Sequence, residues 1–356
     1  MYKNQPIYQH YAVCLSVAPR GIIHLVPSLA MDSVSTLIHP YTREAAAMNS
    51  INNNHTDCAK GHSEDYFGAY RDFWWNADFV ELMAKRLNWE SRQRVLEVGC
   101  GAGHWTRTFA PFLGRGAKVT CIDKDPKWSS SNPSWASDIG GKGIQVEIQP
   151  GDAHLLPFPD GKFDFVTCQT VLIHLSDPNL ALREMVRVLE PGGMLLCVEP
   201  DNFATSSGES SLSRTISLSE EMAEMQYDLI LARGRAARGL GNLSLGGRVP
   251  GMFASAGLTD VKTYISDKAL PLYSPYDAPQ QIALIEDIVR WYDSGVDFSR
   301  VEAIANYLAG GGSISDFETQ WSLEIKRRER ILSAIRNKNF DCGGGAISYL
   351  VSGVKV

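Results

Sequence analysis

The order of apolar and polar positions predicts strands alternating with helices from Arg94 onward. The predicted strands are RVLEV (94–98), AKVTCID (117–123), QVEIQPGD (145–152), KFDFVTCQT (162–170) and MLLCVEP (194–200). The segments between them carry apolar residues at helical spacing, and the helix in 179–193 is expected to end at Pro191 and two glycines. Strands separated by helices pair in parallel through right-handed crossovers, so the pattern predicts an α/β, doubly wound, Rossmann-like sheet. Ligands bind such sheets at the carboxyl ends of the strands.

The chain after residue 200 departs from a minimal version of this plan. TDVKTYIS (259–266) and AISYLVSGVKV (346–356) predict two further strands, and antiparallel pairing between them at the sheet edge gives a seven-stranded sheet with an antiparallel last strand. Residues 217–240 predict an amphipathic helix, and residues 277–338 are mostly helical in pattern. A long helical insertion between two strands that a hairpin could join favours a lid over the crevice.

These patterns divide the chain into four parts. The first part is rich in Ser, Asn, His and Thr near its end and predicts a leader that is disordered or loosely packed. The parts are a leader (1–60), a core domain (61–266) with a helical lid at about 201–250, a helical insertion (267–345) expected to cover the substrate, and the last edge strand of the core (346–356).

Charge and cysteine content exclude several classes of protein. The net charge is −6, and no block of like charges is longer than KRRER (326–330), which we interpret as a solvated helix face, so no nucleic-acid partner is expected. The 7 cysteines are widely spaced and form no CxxC pair, which predicts neither disulfides nor a metal site and favours a reduced, cytoplasmic protein. Pro19 and Arg20 interrupt the apolar run at 11–30, so no membrane span is predicted. The oligomeric state stays open, a homodimer included.

Three glycines mark the turn between the first predicted strand and the first helix. Gly99, Gly101 and Gly103 follow Glu97 in RVLEVGCGAGHW, and their lack of a side chain allows a close backbone approach to a ligand. Asp123 ends the next strand, where a carboxylate can accept hydrogen bonds from ribose hydroxyls. The G-x-G-x-G spacing differs from the dinucleotide pattern G-x-G-x-x-G, but the glycines and Asp123 alone leave NAD and other nucleosides open.

Four ordered segments resemble the class I S-adenosylmethionine (SAM) dependent methyltransferases. Within that class they resemble the small-molecule group that includes the ubiquinone and menaquinone biosynthesis enzymes, also called methyltransferase type 11. The segments are VLEVGCGAGHWT, VTCIDKDP, GDAHLLPFPDGKFDFVTC and LREMVRVLEPGGMLLCVEP. The resemblance covers residues 94–200 well and hardly reaches the leader or the insertion, and it implies SAM as the cofactor.

The resemblance also implies roles for particular residues. It implies that Glu97 either orders the glycine turn or accepts from the SAM amino group, and that Asp123 binds the ribose. Asp152 and the backbone N–H of the next residue are expected to bind the adenine. Aromatic residues ahead of the first strand could face the sulfonium cation, where cation–π attraction is worth about 0.5 to 2 kcal/mol. The cofactor-binding residues expected in this way are Glu97, Gly99, Cys100, Gly101, Gly103, Asp123, Lys124, Asp152, Ala153, Gln169, Thr170, Tyr66 and Trp75.

Two residues are candidates for a catalytic role at the methyl acceptor. His174 follows the fourth strand at the crevice mouth, where an imidazole could take a proton from a hydroxyl or amine, although packing explains it as well. Glu199 ends the fifth strand and is expected to face the acceptor. Methyl transfer is an in-line displacement on an activated electrophile, so alignment can supply much of the acceleration.

The resulting hypothesis is a SAM-dependent methyltransferase that acts on an oxygen or carbon atom of a small molecule, such as a natural product, a quinone or a lipid. Three alternatives stay open: a protein or peptide methyltransferase, an NAD-dependent oxidoreductase and a non-catalytic partner protein with the same fold. VTCQTVLIH stands where nucleic-acid amino-methyltransferases carry an Asn/Asp-Pro-Pro-Tyr/Phe signature, which argues against that substrate class.

Overall fold

A computed structural model describes residues 68–129, 133–141, 143–205, 209–293, 300–344 and 347–356. The predicted leader and Tyr66 lie outside these ranges. The strands are β1 (Arg94–Val98), β2 (Lys118–Asp123), β3 (Gln145–Pro150), β4 (Phe163–Gln169), β5 (Leu189–Pro200), β6 (Leu258–Ile265) and β7 (Ser348–Lys355). The α-helices are α1 (Ala77–Arg86), α2 (His104–Phe109), α3 (Pro126–Ser129), α4 (Ser134–Gly140), α5 (Pro178–Val188), α6 (Asn202–Thr205), α7 (Leu218–Ala237), α8 (Val249–Ser255), α9 (Pro279–Asp293), α10 (Arg300–Ala309) and α11 (Ile314–Arg336).

The seven strands form one sheet in the order β3-β2-β1-β4-β5-β7-β6. Strands β1 to β5 pair in parallel, and β7 runs antiparallel to both of its neighbours. This confirms the α/β, doubly wound, Rossmann-like sheet of seven strands with an antiparallel last strand. The carboxyl ends of β1, β2, β3 and β4 therefore lie along one rim of the sheet.

The position predicted for the last strand is wrong. β7 lies between β5 and β6, so the edge strands are β3 and β6, and β7 is an interior strand. Its side chains are mostly buried, whereas β6 exposes charged residues such as Asp260 and Lys262. Charged side chains discourage further strand pairing, and an edge strand tolerates them because one side faces water.

Alternating side chains along the strands fill two separate cores, one on each face of the sheet. Leu96 and Val98 of β1 join the core that contains buried residues of α5 and α8. Val95, on the opposite face, joins the core that contains buried residues of α1, α2 and α4. Both cores need a helical cover, which explains why helix-length segments separate the strands.

Helix α5 ends earlier than its composition predicts. Asp177 caps its first turn by accepting from the backbone N–H of Leu180 at 3.0 Å, and the helix stops at Val188. Pro191 and the glycines after it belong to β5, which already begins at Leu189. The residue before a proline is driven out of the helical region, so Glu190 cannot extend the helix.

The insertion is mostly helical, as predicted, and has apolar contacts of its own. Helices α9 and α11 share one buried cluster, and α7, α10 and α11 share another. Helices α7 and α10 approach very closely, because a Cβ built on Gly234 would lie 1.6 Å from the carbonyl oxygen of Asn306. Within the described ranges, no helix combines the length and apolar character needed to cross a bilayer.

The KRRER segment is not the solvated helix face expected from its composition. Arg327 and Arg328 of α11 are buried. Arg327 pairs with Glu224 of α7 at 3.3 Å, and both arginines pair with Glu324, at 3.0 and 2.8 Å. The charges join α11 of the insertion to α7 of the predicted lid. An amphipathic pattern does not reveal this, because Glu224 lies on a different element from Arg327.

We expect Gly234→Ala to lower the free energy of unfolding by several kcal/mol, about 3 kcal/mol or more, because the added methyl group collides with the α10 backbone. Gly251 in α8 is the matched control, since a Cβ there has nothing within 4 Å. Gly251→Ala should leave stability unchanged or raise it by up to about 1 kcal/mol. Urea unfolding of both variants tests this, and equal effects would disprove the close helix packing.

Candidate functional site

The turn after β1 requires glycine for reasons internal to the protein. Gly99, Gly101 and Gly103 have φ values of +70°, +48° and +78°, a region that favours glycine. A Cβ on Gly99 would lie 2.5 Å from a methyl group of Val171, and a Cβ on Gly103 would lie 2.3 Å from the indole of Trp135. Protein side chains thus already fill the space beside two of the three glycines.

Two buried carboxylates hold this turn. Glu97 accepts a hydrogen bond from the hydroxyl of Thr106, which lies on α2. Asp123, at the end of β2, accepts from the backbone N–H of Gly101 at 2.9 Å and from that of Asp125 at 2.9 Å. Both acids were expected near a cofactor, and these hydrogen bonds tie each of them to the strand-to-helix turn.

Cys100 lies inside the same turn and is a packing residue. Its side chain is buried, and a hydrogen bond with Cys121 together with burial raises the pKa of the thiol well above its usual range. A thiol held in its neutral form is a poor nucleophile. Any contact of Cys100 with a ligand would therefore come from its backbone.

Asp152 and Lys124 form an ion pair at the ends of β3 and β2. Lys124 Nζ lies 2.9 Å from Asp152 Oδ2, and Asp152 Oδ1 accepts from the backbone N–H of His154 at 2.9 Å. Desolvation opposes ionisation of Asp152, but the bonds from Lys124 and His154 prevail and lower its pKa to about 2. Ala153, the next residue, is buried in the core beneath α5. Asp152 is thus ionised at neutral pH on the rim of the sheet.

The end of β4 carries a buried acceptor that lacks a donor. Gln169 is only 5% exposed, and among the described residues no donor reaches its Oε1. Thr170 follows with φ +54°, and its hydroxyl donates to the carbonyl oxygen of Gln169 at 2.7 Å. An unsatisfied buried acceptor costs about 1 to 3 kcal/mol, so a donor from a bound ligand or an ordered water would stabilise this position.

Gln169 faces a cavity of about 120 Å³ beside the glycine turn. Two of the predicted cofactor residues, Trp75 and Gln169, meet there. His174 and Glu199 are not among the residues that line it. The lining residues are Arg71, Asp72, Trp74, Trp75, His104, Arg107, Thr108 and Gln169.

The cavity carries two guanidinium groups and one carboxylate. Desolvation, with the nearby charges of Arg71 and Arg107, lowers the pKa of His104 to about 3, so its ring is neutral at pH 7. Arg107 donates to His104 Nδ1 at 2.9 Å, which makes the 3.3 Å approach of that nitrogen to Asp72 a contact without an ion pair. Arg71 is buried and lies over the ring of Trp74 at 5.3 Å. The balance of charge suits a ligand with a carboxylate.

Trp75 packs against core aromatic residues and also lines the cavity. Its ring stacks on Phe79 at 6.2 Å and lies 5.3 Å from the ring of Trp105, which belongs to the core between the sheet and α1 and α2. The same residue lines the cavity. Packing therefore holds the ring in place, which limits the entropy lost when a ligand contacts it.

Glu199 is buried and does not open onto the crevice, contrary to its predicted position. The side chain is fully buried. Its carboxylate accepts three backbone N–H groups, from Val171 at 3.0 Å, Leu172 at 2.9 Å and Ile173 at 3.3 Å. The end of a parallel strand points toward the crevice, but here the turn after β4 folds over the carboxylate and covers it.

His174 ends the same turn and is partly buried. A Cβ on Gly241 would lie 2.8 Å from the Cα of His174, so the segment that follows α7 packs directly on this residue. His174 is thus held between the β4 turn and the predicted lid, and packing accounts for its surroundings.

Sequence reasoning missed most residues of the cavity, among them Arg71, His104 and Arg107. Arg71 stands inside the aromatic segment YFGAYRDFWWN, and His104 directly follows the third glycine. A charged residue within an aromatic run ahead of the first strand is a signal that could have been used. Among the described residues, no group of three or more His, Cys, Asp or Glu side chains could hold a metal ion.

The central part of the chain is similar to known methyltransferases. Residues 96–197 match the family described as "Methyltransferase domain". An uncharacterized methyltransferase, YcgJ of Bacillus subtilis, is 36% identical over 119 residues, which are 33% of this chain and 45% of YcgJ. Demethylmenaquinone methyltransferase of Staphylococcus aureus is 38% identical over 106 residues, which are 30% of this chain and 42% of that protein.

The matched regions span less than half the length of these curated relatives. The crystal structure of YcgJ aligns over 79% of this chain and 99% of YcgJ, with 21% identity and a TM-score of 0.44. The family match over residues 96–197 confirms the resemblance to SAM-dependent methyltransferases that the sequence motifs indicate. The cofactor of that class is SAM.

Glu199 gives a pH-dependent prediction for stability. Burial raises its pKa to about 7 in spite of the backbone donors. The folded protein thus holds this proton up to a higher pH than the unfolded chain, and the stabilisation present at low pH is lost as the pH rises toward and through about 7. Relative to Glu199→Gln, wild type should lose about 3 kcal/mol of unfolding free energy between pH 4.5 and 8.

Urea unfolding of both proteins across that pH range measures the difference. Contributions from other groups cancel, because both proteins contain them. The difference should persist in 0.5 M salt, since salt hardly screens a fully buried charge. Parallel stability curves for the two proteins would refute the assigned role of burial.

Proposed function

We propose that this protein is a SAM-dependent methyltransferase that methylates an oxygen or carbon atom of a small molecule. The observation that carries the proposal is Gln169, which lines a cavity near the glycine turn and whose buried Oε1 receives no hydrogen bond from the described residues. SAM carries a primary ammonium group and a carboxylate on one carbon. Gln169 offers an acceptor for the first, and Arg71 offers a buried guanidinium for the second.

The remaining cofactor residues follow the rim of the sheet in the proposed arrangement. Asp123 at the end of β2 would accept from the ribose hydroxyls, and Asp152 with the backbone at Ala153 would read the adenine. Lys124 neutralises Asp152 from the neighbouring strand end. The glycine turn brings its backbone close to the methionyl part, together with Thr170. These assignments agree with the order of strands β1, β2, β3 and β4 across the sheet.

When bound, SAM supplies a methyl group that is already activated by a sulfonium cation. The work left to the chain is to orient the acceptor and exclude water, and orientation supplies much of the acceleration in such displacements. Trp75 places an aromatic ring on the cavity wall, where a cation gains about 0.5 to 2 kcal/mol. Where the acceptor is a hydroxyl, the imidazole of His174 is the proposed base that takes its proton.

A small-molecule acceptor is supported by the demethylmenaquinone methyltransferase among the relatives. It is also supported by the insertion, whose helices supply buried contacts close to the cavity wall. In this proposal the helical parts, about 201–250 and 267–345, cover the acceptor, as the domain division from sequence predicts. A lid of this kind excludes water and fits a compact substrate better than an extended peptide.

Gln169→Met tests the cofactor site. The variant removes the acceptor but keeps an unbranched side chain of similar length, so the unliganded protein should keep or gain stability. S-adenosylhomocysteine should bind about tenfold to a hundredfold more weakly, since a hydrogen bond to a charged group is worth roughly 1.5 to 3 kcal/mol. Isothermal titration calorimetry measures the affinity, and Gln145→Met, an exposed position on β3, is the control.

Wild type that binds neither SAM nor S-adenosylhomocysteine would end the proposal, and preferential binding of NAD would favour the oxidoreductase alternative. Wild type and Gln169→Met with equal affinity would show that Gln169 is not a cofactor contact.

The acceptor class has its own test. Protein incubated with methyl-labelled SAM and a mixture of phenols, quinols and fatty acids should move label into the fraction extracted by organic solvent. Label that appears only in added peptides or proteins would contradict the small-molecule proposal and support a protein methyltransferase. Heat-inactivated protein gives the background.

A further inference from the structure

One wall of the cavity is attached to the insertion. A short turn of 3-10 helix at Ala69–Phe73, followed by Trp74 and Trp75, supplies half of the lining residues. Tyr70 of this turn is buried in the cluster formed by α9 and α11, and Trp74 packs against the same cluster. Arg71, the neighbour of Tyr70, lines the cavity. Adjacent residues thus connect the insertion to the site.

Asp287 of α9 fixes the start of this wall. Both of its carboxylate oxygens accept from the backbone N–H of Gly68, at 3.0 and 2.9 Å, and Gly68 is the residue that precedes the 3-10 turn. The carboxylate is 2% exposed and also pairs with Arg290, one turn further along α9. A Cβ on Gly68 would lie 2.7 Å from an oxygen of Asp287, so the two segments are in direct contact.

The buried carboxylate of Asp287 has two partners, the Arg290 guanidinium on its own helix and the backbone N–H of Gly68 on the cavity wall. Burial raises the pKa of Asp287 above its ordinary value, which shows that the surroundings oppose its charge. The apolar cluster around Ile288 and Val289 could hold α9 in place without a carboxylate. The arrangement therefore favours a role in locating the 3-10 turn over a role in general stability.

We infer that Asp287 is a positioning residue, through which the insertion holds the cavity wall of Arg71, Trp74 and Trp75 in its ligand-binding position. The inference rests on the proposed binding of SAM. It adds that the insertion takes part in cofactor binding, although the match to the methyltransferase family stops at residue 197. Because coupling is reciprocal, a bound cofactor must in turn stabilise α9.

Asp287→Ala removes both acceptor oxygens and leaves the Gly68 N–H without this partner. We expect S-adenosylhomocysteine to bind about tenfold more weakly by calorimetry, because the wall loses its fixed position. In wild type the ligand should slow hydrogen exchange in α9 as well as in the glycine turn. In Asp287→Ala at a saturating ligand concentration, the turn should still be protected and α9 should not.

Three further variants separate positioning from general stability. Glu286→Gln is the matched control, since Glu286 is exposed on the same helix, and it should behave as wild type. Asp287→Asn keeps one acceptor oxygen and should recover most of the affinity. In Gly68→Ala the added methyl group displaces the carboxylate of an unmutated Asp287. This variant should also bind S-adenosylhomocysteine more weakly. Gly68→Ala also tests the inference if Asp287→Ala does not fold.

Failure of the inference is distinct from failure of the proposed function. If wild type does not bind S-adenosylhomocysteine, the proposed function fails first. If wild type binds it and Asp287→Ala and Gly68→Ala bind equally well, the function stands and the inference is refuted. The same holds if the ligand protects α9 equally in wild type and in Asp287→Ala, because α9 would then sense the ligand by another route.

Discussion

The carboxylate of Glu199 holds the turn on which the rest of the candidate site depends. It ends β5 and accepts the N–H groups of three successive residues after β4, beginning with Val171. Val171 in turn places a methyl group where a side chain on Gly99 would lie, so the β4 turn and the glycine turn fit against each other. Gly241 packs on the other end of the turn at His174. One buried acid therefore links the turns after two parallel strands to the segment that follows α7.

The cavity is lined by two parts of the chain, one held by the sheet domain and the other packed against the insertion. Gln169 and His104 come from strand and helix ends of the sheet domain, whereas the wall with Arg71 and Trp74 packs on the helices of the insertion. A site formed in this way changes when either part moves, because no single element positions all of its groups. The insertion is distant from β4 in sequence, yet it reaches the cavity through the segment that precedes α1.

Local patterns predict the fold well because the spacing of apolar residues within each strand and helix marks the face that it buries. The place of β7 in the sheet was missed because the order of strands depends on which neighbour offers the better apolar face. Glu199 was misjudged because only the folded turn reveals that three N–H groups cover it. Contacts between distant charges leave even less trace in the sequence. Arg327 meets Glu224 from another helix, and Arg71 and Arg107 help to keep His104 neutral from different elements. The polarity of the cavity therefore does not follow from spacing or composition.

The glycines of the turn are a weaker guide to the cofactor than their spacing suggests. Val171 and Trp135 occupy the space beside Gly99 and Gly103, so this chain requires glycine there for its own packing whatever ligand it binds. The choice of cofactor depends instead on the groups that face the cavity. Gln169 Oε1 can accept from a donor, and the Arg71 guanidinium can bind an anion. A pyrophosphate suits only the arginine, whereas an amino acid group, with its ammonium beside its carboxylate, suits both residues.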